Sequence, residues 1–239
     1  MKKYSLFLLT ALLALAGGQP GFAKKKKIPV LPEVKLKVEL DRKVLPAGKA
    51  ERAVLKISLD PEQVVREEAN RPPVNLAIVL DRSGSMGGEK IVQAKEAAIQ
   101  AIRRMGSKDR ISIVAYSNHA ETIASAQSAK NAEKLVDLVR QLKASGGTAL
   151  YAGVNQGAAE IRKNLDGEYF NRIILLSDGL ANQGPSTPAD LVRLGRALVK
   201  EDISVSTVGL GAGYNEDLMA GLAKEGQGNL YFAETSKEL

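Results

Sequence analysis

Val74-Asn75-Leu76-Ala77-Ile78-Val79-Leu80-Asp81-Arg82-Ser83-Gly84-Ser85 decides the fold. Its first seven residues are a short, almost unbroken apolar run, which reads as a strand buried on both faces. The run ends at a carboxylate, and two hydroxyls follow at alternate positions on a tight loop. Two later stretches complete the pattern. Gly146-Gly147-Thr148 stands at the start of a predicted helix, and Ser177-Asp178-Gly179 follows the apolar strand Ile173 to Leu176. Asp81, Ser83, Ser85, Thr148 and Asp178 together form an all-oxygen donor set. Oxygen donors suit a hard divalent cation such as Mg²⁺, with Mn²⁺ or Ca²⁺ as alternatives. The expected chemistry is binding through a metal rather than covalent catalysis.

Strand and helix signals alternate outward from this stretch. Glu89 to Met105 places Ile91, Ala94, Ala98, Ile102 and Met105 at helical spacing. Ile111 to Tyr116 reads as a strand, and Glu121 to Ala124 as a short edge strand after a turn at Asn118-His119. Asn131 is placed to cap a helix carrying Leu135, Leu138, Val139 and Leu142 on one face. Thr148 to Asn164 is the next predicted helix. Thr187-Pro188-Ala189-Asp190 combines a capping hydroxyl, Pro at the first helical position and an acid in the first turn. Ile203 to Val208 is a strand, Asn215 starts a helix that Gly226 ends, and Asn229 to Ala233 is the last strand. Buried strands alternating with helices predict an α/β fold: a doubly wound, mostly parallel sheet with helices on both faces. Ligand sites in such sheets lie beyond the strand C-termini, where the strand order reverses. If the strands before Asp81 and Asp178 are neighbours at that reversal, their loops and the Thr148 turn meet there.

Before this region, Val34, Leu36, Val38 and Leu40 alternate with Lys35, Lys37, Glu39 and Asp41. Ala53, Leu55, Ile57 and Leu59 repeat the pattern after a break at Pro46-Ala47-Gly48. Period two predicts a β-hairpin with one apolar face. A lone hairpin is marginally stable, so that face must rest on something.

Composition excludes several classes. The absence of Cys removes thiol nucleophiles, disulfides and Cys-ligated zinc. The single His119 removes a multi-histidine metal site. With no Trp and 4% aromatic residues, a base-stacking platform for nucleic acid is not expected. The N-terminus carries Lys2 and Lys3, then an apolar core from Ser5 to Ala16, then the small-residue end Gly21-Phe22-Ala23, which is the pattern of an export signal. The core is shorter than the ~20 residues a membrane-spanning helix needs. The formal charge of +7 falls to about +1 once Lys2, Lys3 and the run Lys24 to Lys27 are set aside. The expected organisation is a signal peptide over 1–23, a basic tail and linker over 24–32, a β-strand segment over 33–72, and an α/β domain over 73–239. The mature chain is expected in the periplasm or at the cell surface of a bacterium, with no transmembrane segment after cleavage.

Asp81-Arg82-Ser83-Gly84-Ser85-Met86, Gly146-Gly147-Thr148 and Ser177-Asp178-Gly179 together resemble the metal-ion-dependent adhesion site of a von Willebrand factor type A domain. The resemblance covers Val74 to Ala233. Leu180-Ala181-Asn182-Gln183-Gly184-Pro185 and Gly211-Ala212-Gly213-Tyr214-Asn215-Glu216-Asp217 are similar to bacterial exported relatives of the inter-alpha-trypsin inhibitor heavy chains. The resemblance implies a Rossmann-like fold and a divalent ion at Asp81, Ser83, Ser85, Thr148 and Asp178. It also implies a protein partner that offers a carboxylate to that ion. Arg82, Met86, Asn118 and Asn182 are the expected partner contacts. The family begins a final helix where this chain reads Thr235-Ser236-Lys237-Glu238-Leu239. That helix, and strands that pair with the hairpin, are therefore expected outside this chain, leaving the hairpin open to self-association.

Each site residue taken singly also fits a plain role, as a helix cap or turn former. Two rival functions lack the residues they need. A Mg²⁺-dependent phosphohydrolase with Asp81 as nucleophile would carry a second acid two residues on, where Ser83 stands. A serine hydrolase built on Ser83 or Ser85 would have His119 as its one candidate base and lacks the nucleophile-elbow glycines. No enzymatic activity is expected. A metal-independent scaffold subunit of the cell envelope shares every motif and differs only in how it binds.

Overall fold

The computed structural model describes residues 34–40, 48, 52–61, 71–165 and 167–233. The chain divides between Arg66 and Glu67 into two units. In the first, strand β1 (Val34–Leu40) runs antiparallel to β2 (Leu55–Pro61). The register sets Leu36 opposite Leu59, Val38 opposite Ile57 and Leu40 opposite Leu55. Alternation places all six on one face, and all six are exposed, at 53–66% of their surface. The expected leader over 1–23 and the basic tail lie outside the described residues.

The second unit follows the predicted alternation. Its elements are β3 (Val74–Asp81), α1 (Glu89–Arg103), β4 (Arg110–Tyr116), β5 (Ala120–Ser128), α2 (Ala132–Arg140), α3 (Leu150–Arg162), β6 (Phe170–Ser177), α4 (Pro188–Val199), β7 (Ile203–Leu210), α5 (Glu216–Glu225) and β8 (Gln227–Ala233). The six strands lie in the order β5-β4-β3-β6-β7-β8, and only β5 is antiparallel to its neighbour. Chain order runs outward from β3 through β4 on one side and from β6 through β7 and β8 on the other. The reversal therefore falls between β3 and β6, the two strands that carry the aspartate loops.

Alternate residues of β3 feed two apolar layers. Leu76, Ile78 and Leu80 pack with Ile91, Ala94, Ala98 and Ile102 of α1 and with Leu135, Val136 and Val139 of α2. Ala77 and Val79 pack with Leu150, Val154, Ala158 and Ile161 of α3, and with Leu191 and Leu194 of α4 and Leu218 and Leu222 of α5. Burial on both faces explains why Val74 to Leu80 reads as a continuous apolar run instead of an alternating one. Among the described residues no helix is long and apolar enough to cross a membrane.

Several boundaries differ from the periodicity reading, for local reasons. The helix expected at Thr148 begins at Leu150, because the Thr148 backbone is held by the loop after β6: Thr148 N donates to Asn182 Oδ1, and Thr148 O accepts from Asn182 N and Gln183 N. The edge strand expected over Glu121 to Ala124 runs from Ala120 to Ser128. The buried Glu160 carboxylate of α3 fastens it by accepting from Thr122 Oγ1, Ser125 Oγ and Ala126 N at 2.9–3.0 Å. Asn131 makes no capping bond; it ends a 3₁₀ turn that already leads the chain into α2. The cap at Thr187 forms as a reciprocal box with Asp190, and Asn215 Oδ1 accepts from Leu218 N.

Candidate metal centre

Asp81 is the last residue of β3, Tyr116 the last of β4, and Asp178 the first beyond β6. Parallel pairing brings these strand ends to one rim. Cross-loop hydrogen bonds then lock the loops together. Gly84 N donates to Gly146 O at 2.9 Å and Ser145 N to Arg82 O at 2.7 Å, joining the loop after β3 to the one before α3. Thr148 N donates to Asn182 Oδ1 at 2.9 Å, joining the loop before α3 to the one after β6. All three sequence motifs therefore meet at the switch point.

The floor of the site is closed to solvent. Asp81, Ser83 and Asp178 are fully buried and Thr148 nearly so, while Gly84 and Ser85 are exposed above them. Asp81 Oδ1 accepts from Ser83 N at 2.8 Å. Its Oδ2 accepts from Ser177 Oγ at 2.6 Å, and Tyr116 Oη lies 3.1 Å from Oδ2 and 3.0 Å from Ser177 Oγ. Burial raises the Asp81 carboxyl above its ordinary value and the charge of Asp178 adds to this, against the hydrogen bonds from Ser177 and Ser83. Burial, and then the charge of Asp81, pushes the Tyr116 hydroxyl well up, so it stays protonated as a donor. Asp178 Oδ2 accepts from Lys90 Nζ at 2.9 Å, its Oδ1 accepts from Leu180 N, and its carbonyl accepts from Asn215 N.

The donor chemistry fits a hard cation. Ser83 Oγ and Ser85 Oγ stand 3.1 Å apart, and among the described residues Thr148 Oγ1 makes no hydrogen bond. Among those residues no three His, Cys, Asp or Glu side chains gather as a metal cluster. The centre is instead two carboxylates ringed by hydroxyls.

The residues expected at the partner surface divide. Met86 is fully buried in the layer under α1, so it is a core residue and not a contact, because its 3₁₀ turn folds the side chain inward. Arg82 is partly exposed and lies 3.4 Å from Ser145 Oγ. Asn118 and Asn182 are exposed, yet both brace the rim: Asn118 Oδ1 accepts from Gly147 N at 2.6 Å and from Gln183 Nε2 at 3.1 Å. Three residues at the centre have no role in the sequence reading: Tyr116, Lys90 and Ser177, the last quoted only as part of its motif. Tyr116 is the register partner of Asp81, which only the pairing of β3 with β4 reveals.

Comparison with known proteins agrees with this architecture. The family model for the von Willebrand factor type A domain matches residues 75–239. An uncharacterized protein of Synechocystis is 33% identical over 168 residues, covering 70% of this chain and 39% of that protein. Inter-alpha-trypsin inhibitor heavy chain H4 of Sus scrofa is 31% identical over 145 residues, covering 58% of this chain and 16% of its own. This chain thus spans well under half the length of either relative. Among solved structures, proximal thread matrix protein 1 from the mussel byssus, described with a zinc-occupied MIDAS motif, superposes with a TM-score of 0.56. It is 17% identical and the match covers 70% of this chain and 43% of that one, a likeness of fold. On the match over residues 75–239, this chain belongs to the von Willebrand factor type A domain family.

Proposed function

We propose that this chain is an exported protein-binding module, not an enzyme, which engages an acidic side chain of its partner through a divalent cation. Type A domains are typically protein-interaction modules. The observation that carries the finer reading is the closed floor of Asp81, Ser83, Thr148 and Asp178 beneath an exposed Ser85, at the reversal of the sheet. Asp81, Ser83, Ser85, Thr148 and Asp178 would hold the ion. Mg²⁺ suits this set, since it takes about six oxygens at about 2.0–2.1 Å and keeps exchangeable water. An ion held by these residues would supply a Lewis-acidic position open to a partner carboxylate. Ser177 and Tyr116 fix the Asp81 carboxylate, Asn182 fixes Thr148, and the rim around Arg82, Asn118 and Asn182 contributes the selectivity. The signal-like N-terminus supports an extracytoplasmic location, and the exposed hairpin face supports self-association.

Titration calorimetry with Mg²⁺, Mn²⁺ and Zn²⁺ on the wild type and on Asp81→Ala tests the site. Loss of binding in the variant is expected, and equal binding by both would overturn the reading. A pull-down from envelope extract, with Mg²⁺ or with chelator, tests the partner half. The second reading, a metal-independent scaffold, draws on the Lys90–Asp178 pair, which neutralises a site carboxylate without a metal. Capture that persists undiminished in chelator would favour it.

A further inference from the structure

Lys90 stands in the first turn of α1, where the helix macrodipole disfavours a cation. The Lys90–Asp178 bond supplies the reason for it to be there. Asp178 is fully buried, and Lys90 Nζ, on a side chain 27% exposed, reaches its Oδ2 at 2.9 Å. The stem reaches that carboxylate by crossing Gly211, the first residue after β7. A Cβ on Gly211 would lie 2.7 Å from Lys90 Cε, and Gly211 itself has φ +79°. The path of the lysine is thus built by two elements, α1 and the loop after β7. Among the described residues it is the only ammonium or guanidinium paired with either aspartate of the centre.

We propose that Lys90 is a tethered competitor for the divalent ion, holding Asp178 in the metal-free protein and setting the affinity of the centre. The inference rests on the metal reading above. A buried carboxylate needs a counter-charge. Lys90 provides one, and a divalent ion brought to the same carboxylate meets a charge already neutralised and a like charge beside it. Occupancy by the ion and the contact of Lys90 with Asp178 oppose each other, so anything that shifts α1 against the Gly211 loop shifts metal affinity.

The test is calorimetric titration of Mg²⁺ and Mn²⁺ into the wild type, Lys90→Met and Lys90→Gln, with Asp81→Ala as the blank. Thermal melts in chelator and in saturating Mg²⁺ accompany it. Lys90→Gln keeps a hydrogen-bond donor for Asp178 and guards against a Lys90→Met chain that fails to fold without metal. Both variants are expected to bind Mg²⁺ at least about tenfold more tightly than the wild type. Mg²⁺ should raise their melting temperatures by more than it raises that of the wild type. Equal or weaker binding by folded variants, with the wild type still binding, overturns the competition and leaves the metal reading standing. Absence of binding by the wild type, matching Asp81→Ala, overturns both.

Discussion

Ser177 Oγ donates a 2.6 Å hydrogen bond to Asp81 Oδ2, tying the end of β6 to the end of β3 at the point where the sheet reverses. Gly179 N donates to the same hydroxyl at 2.9 Å, so Ser177 is held on both sides. The bond orients a carboxylate that burial disfavours as an anion. A carboxyl raised in the folded state carries a penalty that is absent at low pH. The penalty grows as pH rises through the ordinary value of 3.8 and is complete above the folded value. Asp81→Asn removes the penalty and keeps an acceptor for Ser83 N. In chelator, the variant is expected to melt at or above the wild type at neutral pH, with the difference closing toward pH 3.8, while Mg²⁺ binding is lost. A variant less stable than the wild type at neutral pH would count against a strained, anion-bearing floor.

Tyr116→Phe removes the second hydroxyl from Asp81 Oδ2 without changing the ring that α3 packs against through Gly153. A hydrogen bond to a charged group is worth about 1.5–3 kcal/mol. Chemical denaturation is expected to show a loss in that range, together with weaker Mg²⁺ binding, because Asp81 retains only Ser177 on that oxygen. Unchanged stability would mean that the hydroxyl serves Ser177 alone.

Much of this centre was legible because the chemistry sits in contiguous motifs. Asp81, Ser83 and Ser85 fall within five residues, and burial on both faces wrote Val74 to Leu80 as an apolar run. The doubly wound pattern allowed Thr148 and Asp178 to converge on Asp81, but the adjacency this needs comes from the pairing of β3 with β6. What stayed hidden depends on register and side-chain path. Tyr116 read only as the end of a strand until β4 set it beside Asp81, and Lys90, inside the predicted helix Glu89 to Met105, had no role until its stem was seen against Gly211. Met86 misled because its motif is exposed at Gly84 and Ser85 while the intervening turn folds it into the core. The start of α3 slipped from Thr148 to Leu150 through a contact with Asn182, 34 residues away, which no local propensity encodes.

At the opposite end of β3, Asp109 accepts from both terminal nitrogens of Arg71, from Val74 N at 2.9 Å and from Gly106 N at 2.6 Å. Burial acts to raise this carboxyl, but Arg71 and the two backbone N–H groups outweigh it and hold it below its ordinary value. A depressed carboxyl contributes stability that is present above 3.8 and lost as pH falls through the folded value. Asp109→Asn weakens the pairing with Arg71, whose side chain is 35% exposed, and losing hydrogen bonds to a charged group is worth about 1.5–3 kcal/mol. Urea unfolding at pH 7 should show that loss, and the gap to the wild type should narrow below pH 3.8. A gap that stays constant with pH would assign the loss to packing.

The hairpin is the last element whose chemistry asks for a partner. Leu36, Val38, Leu40, Leu55, Ile57 and Leu59 form one apolar face, and each is more than half exposed. Burying such a side chain is worth about 1.5–3 kcal/mol, and two strands cannot bury a shared face against each other. Among the described residues this sheet has only two strands, so both its edges are unpaired. A second copy of the chain can supply both a face and an edge. Sedimentation is expected to show concentration-dependent association that Val38→Lys with Ile57→Lys abolishes. Mg²⁺ binding and the main melt of the type A domain should stay unchanged in that variant. Hydrogen exchange in dilute protein should be faster across Val34–Leu40 than across Val74–Asp81, and the difference should shrink as concentration rises. A wild type that stays monomeric with both segments equally protected would show that the face is already satisfied, and association through it would have to be abandoned.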